Sequence, residues 1–395
     1  MSRLWGGNAP PCPPAKDRGS LDPPKLLYLV TEDWYFWSHR LPMARAARSA
    51  GFQVAVAGRI GSHRAAIEGE GFQVHALGWR RRGNGPFSTL CALVELVALY
   101  RRLRPDIVHH VAMKPVLLGG LAAWLARVPA VVNALTGLGF LFIGDGLLRR
   151  LARVPIRFVL GRPGSVVVLQ NQDDRRLLEE RGLVEPERVT VIRGSGIDTG
   201  HYTPLPEPPP AQPVTVAYVG RMLEDKGVPV LIEAHRQLRA RGVPVHLLLV
   251  GIPDPENPTS VPETVLSAWA KEPGVEWRGA VADVRQIWAE AHIAVLPSRR
   301  EGLPKSLLEA AACGRALVAT DVPGCREIAR AGENAVLVPP DDPAALAKAL
   351  ETLALDPSLR ARFAAASRDL VLSDLAVDAV GARVVALYRT ALAKS

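Results

Sequence analysis

Cysteine is scarce in this chain, with Cys12, Cys91, Cys313 and Cys325 the only four in 395 residues. They form no Cys-x-x-Cys pair and no cysteine–histidine spacing suited to zinc, which argues against a zinc ribbon or a disulfide framework and fits a reducing cytoplasm. Aromatic residues make up only 6%. With no nucleic-acid motif beside them, they argue against a nucleic-acid partner. No apolar run reaches the roughly 18 residues of a membrane-spanning helix. The most apolar region, 119–148, is interrupted by Arg127, Pro129, Asn133 and Asp145. Residues 1–24 are rich in proline and glycine, lack the apolar core of a signal peptide, and read as a disordered tail.

What the chain does have is length and apolar content. At 395 residues, 48% of them hydrophobic, it has enough for two domains with full cores. Short apolar runs typical of buried parallel strands alternate with helical stretches, beginning with a strand at 25–30, a helix at 38–50 and a strand at 52–57. This is the pattern of an α/β protein built from right-handed βαβ units. A proline-dense stretch at 204–213 interrupts the alternation, which then restarts. The expected organisation is an N-terminal domain at 25–203, a linker at 204–213 long enough to hinge, a C-terminal domain at 214–375 and a last helix at 376–395. Net charge is +9 and uneven: residues 1–200 hold 27 Lys plus Arg against 16 Asp plus Glu, and the remainder 21 against 23. A basic half points to a polyanionic partner, and an anionic membrane surface or a diphosphate-bearing lipid fits better than nucleic acid.

The most informative stretch is Ser298-Arg299-Arg300-Glu301-Gly302-Leu303-Pro304-Lys305-Ser306-Leu307-Leu308-Glu309-Ala310, directly after an apolar run at 293–296. It reads as strand, tight loop and helix start, with Gly302 permitting the turn and Pro304 in the first helical turn. The amides of Lys305 and Ser306 then face outward at a positive dipole end that attracts phosphate. At 100° per residue Glu301 and Glu309 project about 80° apart, so they either hold different parts of one ligand or serve as a loop cap and a solvated helix residue. Upstream, Tyr218-Val219-Gly220-Arg221-Met222-Leu223-Glu224-Asp225-Lys226-Gly227 places a close-approach glycine, a forked cation and a flexible one after another strand.

These two motifs, in this order, resemble those of retaining glycosyltransferases of family 4, and the resemblance runs from about residue 25 to the C-terminus. The chain is most similar to bacterial members that build capsule, exopolysaccharide or O-antigen units on a polyprenyl diphosphate carrier. The resemblance implies the GT-B fold, two Rossmann-like domains facing each other across a cleft, with the last helix crossing back to the first domain. It implies a nucleotide-sugar donor, with UDP as the expected nucleotide. Glu309 would hold ribose hydroxyls, and Glu301 hydroxyls of the donor sugar in a pocket shaped by Gly302, Leu303 and Pro304. Gly279 would lie by the base. Gly220, Arg221, Lys226 and the amides of Lys305 and Ser306 would cradle the diphosphate. The catalytic set is Glu301, Arg221 and Lys226, with front-face attack and the departing phosphate taking the acceptor's proton. No Asp-x-Asp pair stands in the metal-binding role, since Asp173-Asp174 lies in the other domain and Asp341-Asp342 opens a helix. No metal and no cofactor are therefore expected.

Acceptor candidates lie in the N-terminal half: Arg40, His109, Lys114, Thr136 and Gly137. The first strand-to-helix loop, 31–40, departs from the family's glycine-rich pattern, and its Trp34 and Trp37 either line an acceptor groove or pack in the core. His109 and His110 end a strand at 105–110, as a base and its neighbour or as ordinary strand-end residues. Lys114 opens a helix and is placed to meet an acceptor diphosphate. Thr136 stands where some family members carry a histidine or an acid, a departure that argues against an enzyme base at this site. Trp79 with Arg80, Arg81 and Arg82, and a basic helix at 147–160 carrying Arg149, Arg150, Arg153 and Arg157, read either as a membrane-facing surface or as solvated basic segments. The expected protein is a cytoplasmic enzyme, peripheral on the inner membrane face, that moves a sugar to a lipid-linked glycan. The alternatives are a UDP-sugar 2-epimerase of the same architecture and a catalytically silent scaffold.

Overall fold

A computed structural model of the chain describes residues 22–79, 85–135, 147–209 and 213–395. Most of the expected tail, the candidates Thr136 and Gly137, the arginines 80–82 and the side chains of Arg149, Arg150 and Arg153 lie outside the described residues.

The first half folds as β1 (Lys25–Glu32), α1 (Asp33–His39), α2 (Leu41–Ser49), β2 (Gln53–Arg59), α3 (Arg64–Gly69), β3 (Gln73–Ala76), α4 (Pro86–Leu103), β4 (Ile107–Val111), α5 (Met113–Leu125), β5 (Ala130–Ala134), α6 (Leu147–Gly161), β6 (Ser165–Leu169), α7 (Gln172–Glu180) and β7 (Val189–Val191). All seven strands are parallel, in the order β3-β2-β1-β4-β5-β6-β7. Two expectations change here. The stretch 31–40 is mostly helical, and the helix expected over 38–50 breaks at Arg40, whose φ of −122° and ψ of −16° separate α1 from α2. The two histidines do not end their strand; both lie inside β4, buried among apolar neighbours.

The second half continues with β8 (Val214–Val219), a 3₁₀ turn (Glu224–Lys226), α8 (Val228–Ala240), β9 (Val245–Val250), α9 (Glu263–Trp269), β10 (Val275–Trp277), α10 (Arg285–Glu290), β11 (Ile293–Leu296), α11 (Lys305–Ala312), β12 (Ala316–Thr320), α12 (Pro323–Arg326), β13 (Ala335–Val338), α13 (Pro343–Leu355), α14 (Pro357–Leu370) and α15 (Val377–Ala393). Its six parallel strands run β10-β9-β8-β11-β12-β13. Strands buried on both faces explain why they appear in the sequence as continuous Val, Leu and Ala runs.

Strand order reverses between β1 and β4 in the first sheet and between β8 and β11 in the second. At such a switch point the loops leave in opposite directions and open a crevice at the carboxyl edge, where ligands bind in open α/β sheets. Around the first sheet, α15 packs on α2 and on β4 and β5, while α4, α5 and α6 form the opposite layer. α15 thus puts Val380, Val384, Leu387, Tyr388 and Ala391 into the core of the N-terminal domain.

The chain crosses between domains twice, and the two crossings are joined. The Ile197 amide donates to the Leu375 carbonyl and the Val377 amide to the Ile197 carbonyl, both at 2.9 Å. The described part of the proline-dense linker is, in contrast, fastened to the C-terminal domain. The Leu205 amide donates to the Cys313 carbonyl at 3.1 Å, Arg315 caps the Leu205 and Pro206 carbonyls, and Glu207 pairs with the buried Arg360. Over residues 204–209 the expected linker is therefore held against the C-terminal domain, while the two crossings at Ile197 and Ala376 are bonded to each other.

Candidate active site

The loops after β8 and β11 converge at the second switch point. Gly220 follows β8, and its amide donates to the Val250 carbonyl at 2.9 Å. The Gly251 amide reaches the Gly279 carbonyl at 2.7 Å, so Gly220 and Gly279 lie along one carboxyl edge. The 3₁₀ turn then presents Lys226. Gly227 behind it has φ of +73°, and a Cβ there would sit 2.1 Å from the Pro297 carbonyl oxygen, so only glycine lets this turn press against the end of β11.

Lys226 Nζ lies 2.5 Å from Glu301 Oε1, and Ser298 Oγ donates to the same oxygen at 2.7 Å. The Ser298 carbonyl is in turn held by Thr320 Oγ1 at 2.5 Å. Glu301 is thereby fixed in the loop before α11, with Oε2 outside both bonds. Pro304 is the residue before α11, with φ −74° and ψ 115°, rather than part of its first turn; the helix begins at Lys305. The first amides of α11 have no acceptor within the helix, which leaves its positive end for an anion. Glu309, in α11, is only 6% exposed and takes Tyr202 Oη at 3.0 Å and Lys305 Nζ at 3.4 Å. Burial raises its pKa, while Lys305 and Tyr202 act the other way. Arg221 pairs with Asp254 at 2.7 Å.

A cavity of about 850 Å³ opens beside these groups, lined by Arg221, Lys226 and Arg300 from one domain and by Asp173, Asp174 and Leu177 from the other. Asn171 caps α7 by accepting the Asp174 amide at 2.7 Å and also donates across the gap to the Gly302 carbonyl at 3.3 Å. Arg300 meets Asp174 at 3.2 Å, Arg326 meets Asp173 at 3.1 Å and Arg193 meets Glu327 at 2.5 Å. Leu303 packs toward the first domain, where a Cβ on Gly194 would fall 2.3 Å from its Cδ2. The first domain also contributes His39, stacked on Tyr35 with ring centroids 4.4 Å apart and bonded through Nδ1 to Ser38 Oγ at 2.6 Å. Burial, with Lys305, Arg40 and Arg221 nearby, pushes its pKa down to about 3 and keeps it neutral.

Two family models match the chain: glycosyl transferase 4-like over residues 25–162 and glycosyl transferases group 1 over residues 213–356. The chain belongs to these glycosyltransferases. Among curated relatives, the transferase is 27% identical to the N,N'-diacetylbacillosaminyl-diphospho-undecaprenol alpha-1,3-N-acetylgalactosaminyltransferase of Campylobacter jejuni, over 73% of this chain and 78% of that one. It is 28% identical to the putative glycosyltransferase EpsD of Bacillus subtilis, over 85% and 88%. Among solved structures it is similar to Anabaena HepE in complex with UDP and glucose, with a TM-score of 0.73 and 19% identity, covering 92% of this chain and 99% of that one. The fold is GT-B.

The acceptor candidates of the transferase fare differently. His109 is 2% exposed, stacks on Tyr28 at 4.9 Å between centroids and meets Tyr388 Oη through Nδ1 at 2.5 Å. It belongs to the seat of α15, not to a ligand surface, and its assignment to the acceptor is corrected. Arg40 is likewise 2% exposed, with one guanidinium nitrogen on Met43 Sδ and Nε unpartnered, so it too is withdrawn from that surface. Lys114 remains half-buried at the first switch point, its Nζ 5.8 Å from the centre of the Trp79 ring. Trp79 is itself buried, which removes it as an interfacial anchor. Trp34 is 40% exposed, on α1. Ser298, Tyr202, Asn171 and His39 join the site although none is a site candidate on sequence alone. The N-cap asparagine after an apolar run was the one local signal among them.

Proposed function

We propose that the transferase moves a hexose or N-acetylhexosamine from a UDP-sugar to a lipid-linked glycan, with retention of configuration, in bacterial surface polysaccharide synthesis. The observation that supports this most is the contact between Lys226 and Glu301. A cation for the leaving phosphate and a carboxylate for sugar hydroxyls stand side by side, as the two ends of a sugar–phosphate bond require. Glu309 lies further along α11, where the nucleoside of the same donor would extend.

In this reading the bond between the anomeric carbon and the phosphate oxygen breaks while the acceptor oxygen attacks the same face, and the acceptor proton passes to the departing phosphate. Arg221, Lys226, Lys305 and the first amides of α11 neutralise the leaving charge. They carry what a metal ion would otherwise carry, so turnover persists in EDTA. Donor entry exchanges carboxylate partners for phosphate, since Asp254, Glu301 and Glu309 pair with these cations.

The acceptor lies against the first domain near Lys114, and that domain rests on an anionic bilayer. Supporting this, Phe87, Leu90 and Val94 of α4, Trp124 of α5 and Val154 and Phe158 of α6 are all exposed on one layer. No helix among the described residues is long and apolar enough to cross a membrane.

Purified protein incubated with radiolabelled UDP-, GDP- and ADP-sugars and native membranes tests the reading. Label from a UDP-sugar in the organic phase is expected. Donor consumption without lipid label refutes the lipid acceptor, and no reaction with any donor refutes the enzyme.

A further inference from the structure

We infer that Tyr202 is a positioning residue that sets the Glu309 carboxylate to receive the vicinal hydroxyls of a ribonucleoside diphosphate. The inference rests on the proposed role of Glu309 at the ribose. Tyr202 sits outside both motifs, on the segment just after the interdomain crossing, and that segment is immobilised. The Tyr202 amide donates to the Asp198 carbonyl at 2.8 Å, and Arg368 donates to the Tyr202 carbonyl at 2.6 Å and the Thr199 carbonyl at 3.1 Å. From this rigid base the phenol donates to Glu309 Oε1 at 3.0 Å. Lys305 approaches the same oxygen, which leaves Oε2 for the ligand.

The phenol is the donor in this bond. Burial and the adjacent carboxylate raise the phenol's pKa, so it stays protonated across any working pH. A carboxylate buried this deeply needs such a partner to remain charged and in one rotamer, and the ribose hydroxyls then meet an acceptor already in place. Because α11 carries Glu309 and the crossing segment carries Tyr202, the ribose subsite is assembled from the helix and the interdomain connection together.

The test compares binding of UDP, ADP and GDP with their 2'-deoxy counterparts by calorimetry, in the wild type and in Tyr202→Phe, which keeps the ring and its packing. For the nucleotide bound tightest, the wild type is expected to prefer ribose about tenfold. Tyr202→Phe is expected to lose three- to tenfold in ribonucleotide affinity and little in deoxyribonucleotide affinity, so the preference collapses toward twofold. Steady-state assays should show a raised donor KM with kcat within about threefold. A variant that folds and keeps the full ribose preference overturns the inference while leaving the role of Glu309 standing. A wild type that does not distinguish the two sugars, or binds none of the nucleotides, overturns both.

Discussion

Glu309 and Lys226 are close to the same ligand in the proposed reading but are held in opposite ways. Glu309 is a buried carboxylate kept in place by donors, and Lys226 is a half-buried cation resting on Glu301. Replacing either with alanine removes one charged contact to the donor, and turnover is expected to fall by about tenfold or more with the fold intact. Circular dichroism and initial rates check this, and near-wild-type rates in either variant would refute the site. Gly227→Ala forces both a positive φ and a clash with the Pro297 carbonyl, so it should cost about 2 kcal/mol or more in urea unfolding. At this scale the sequence was legible where a motif carries its own geometry. Gly220 to Gly227 and Ser298 to Glu309 could be read because each follows a strand end directly. Tyr202 could not, because its bond to Glu309 joins residues 107 apart in the chain.

Strands were the most readable elements and α7 the least. β8, β9, β11 and β12 are runs of Val, Leu, Ile and Ala buried on both faces, a pattern with few competing interpretations. α7 (Gln172–Glu180) is short, highly charged and visible mainly through its asparagine cap, and its function depends on residues more than a hundred positions later. The misreading of His109 has the same cause, since the hydroxyl that buries it comes from α15, 279 residues away. Tyr388→Phe should leave His109 Nδ1 and the Tyr28 hydroxyl short of a partner and cost about 1–3 kcal/mol in chemical denaturation. β4 also confers a pH dependence. Burial lowers the pKa of His110 to about 4, below its unfolded value of about 6.5, so the unfolded chain binds the proton first. The stability this neutral histidine supports is full above about pH 6.5 and is lost as pH falls toward 4, by a few kcal/mol. Denaturant midpoints measured from pH 7 to 4.5 should fall, and fall less steeply in His110→Gln. The layer of α4, α5 and α6 carries its own test: flotation with liposomes containing anionic lipid should drop several-fold when Phe87 and Val94 both become glutamate.

For the molecule as a whole, the fold was readable before the relation of its halves was. Two α/β halves follow from the alternating pattern, but the ion pairs that bridge them depend on geometry that no local pattern encodes. Arg300–Asp174, Arg326–Asp173 and Arg193–Glu327 all span the domains, and most of their side chains are partly open to water. Raising salt from 0.15 to 1 M shortens the screening length from about 8 to about 3 Å. The radius of gyration from solution scattering should therefore grow with salt, and added donor nucleotide should reverse part of the change. A radius insensitive to salt would mean that the domains are held by packing rather than by these charges.

The return of α15 to the first sheet also bears on how the chain is made. A ribosome delivers β7 long before it delivers Val380 or Tyr388, and at roughly 5–20 residues per second the delay is about 10–40 s. During that interval the nascent first domain exposes an apolar trough, and the second domain completes its own core before the first can. Folding during translation thus proceeds out of chain order. A message broken near its end yields a product whose unfinished part is its beginning, and that is the end at which a chaperone or a protease would meet it.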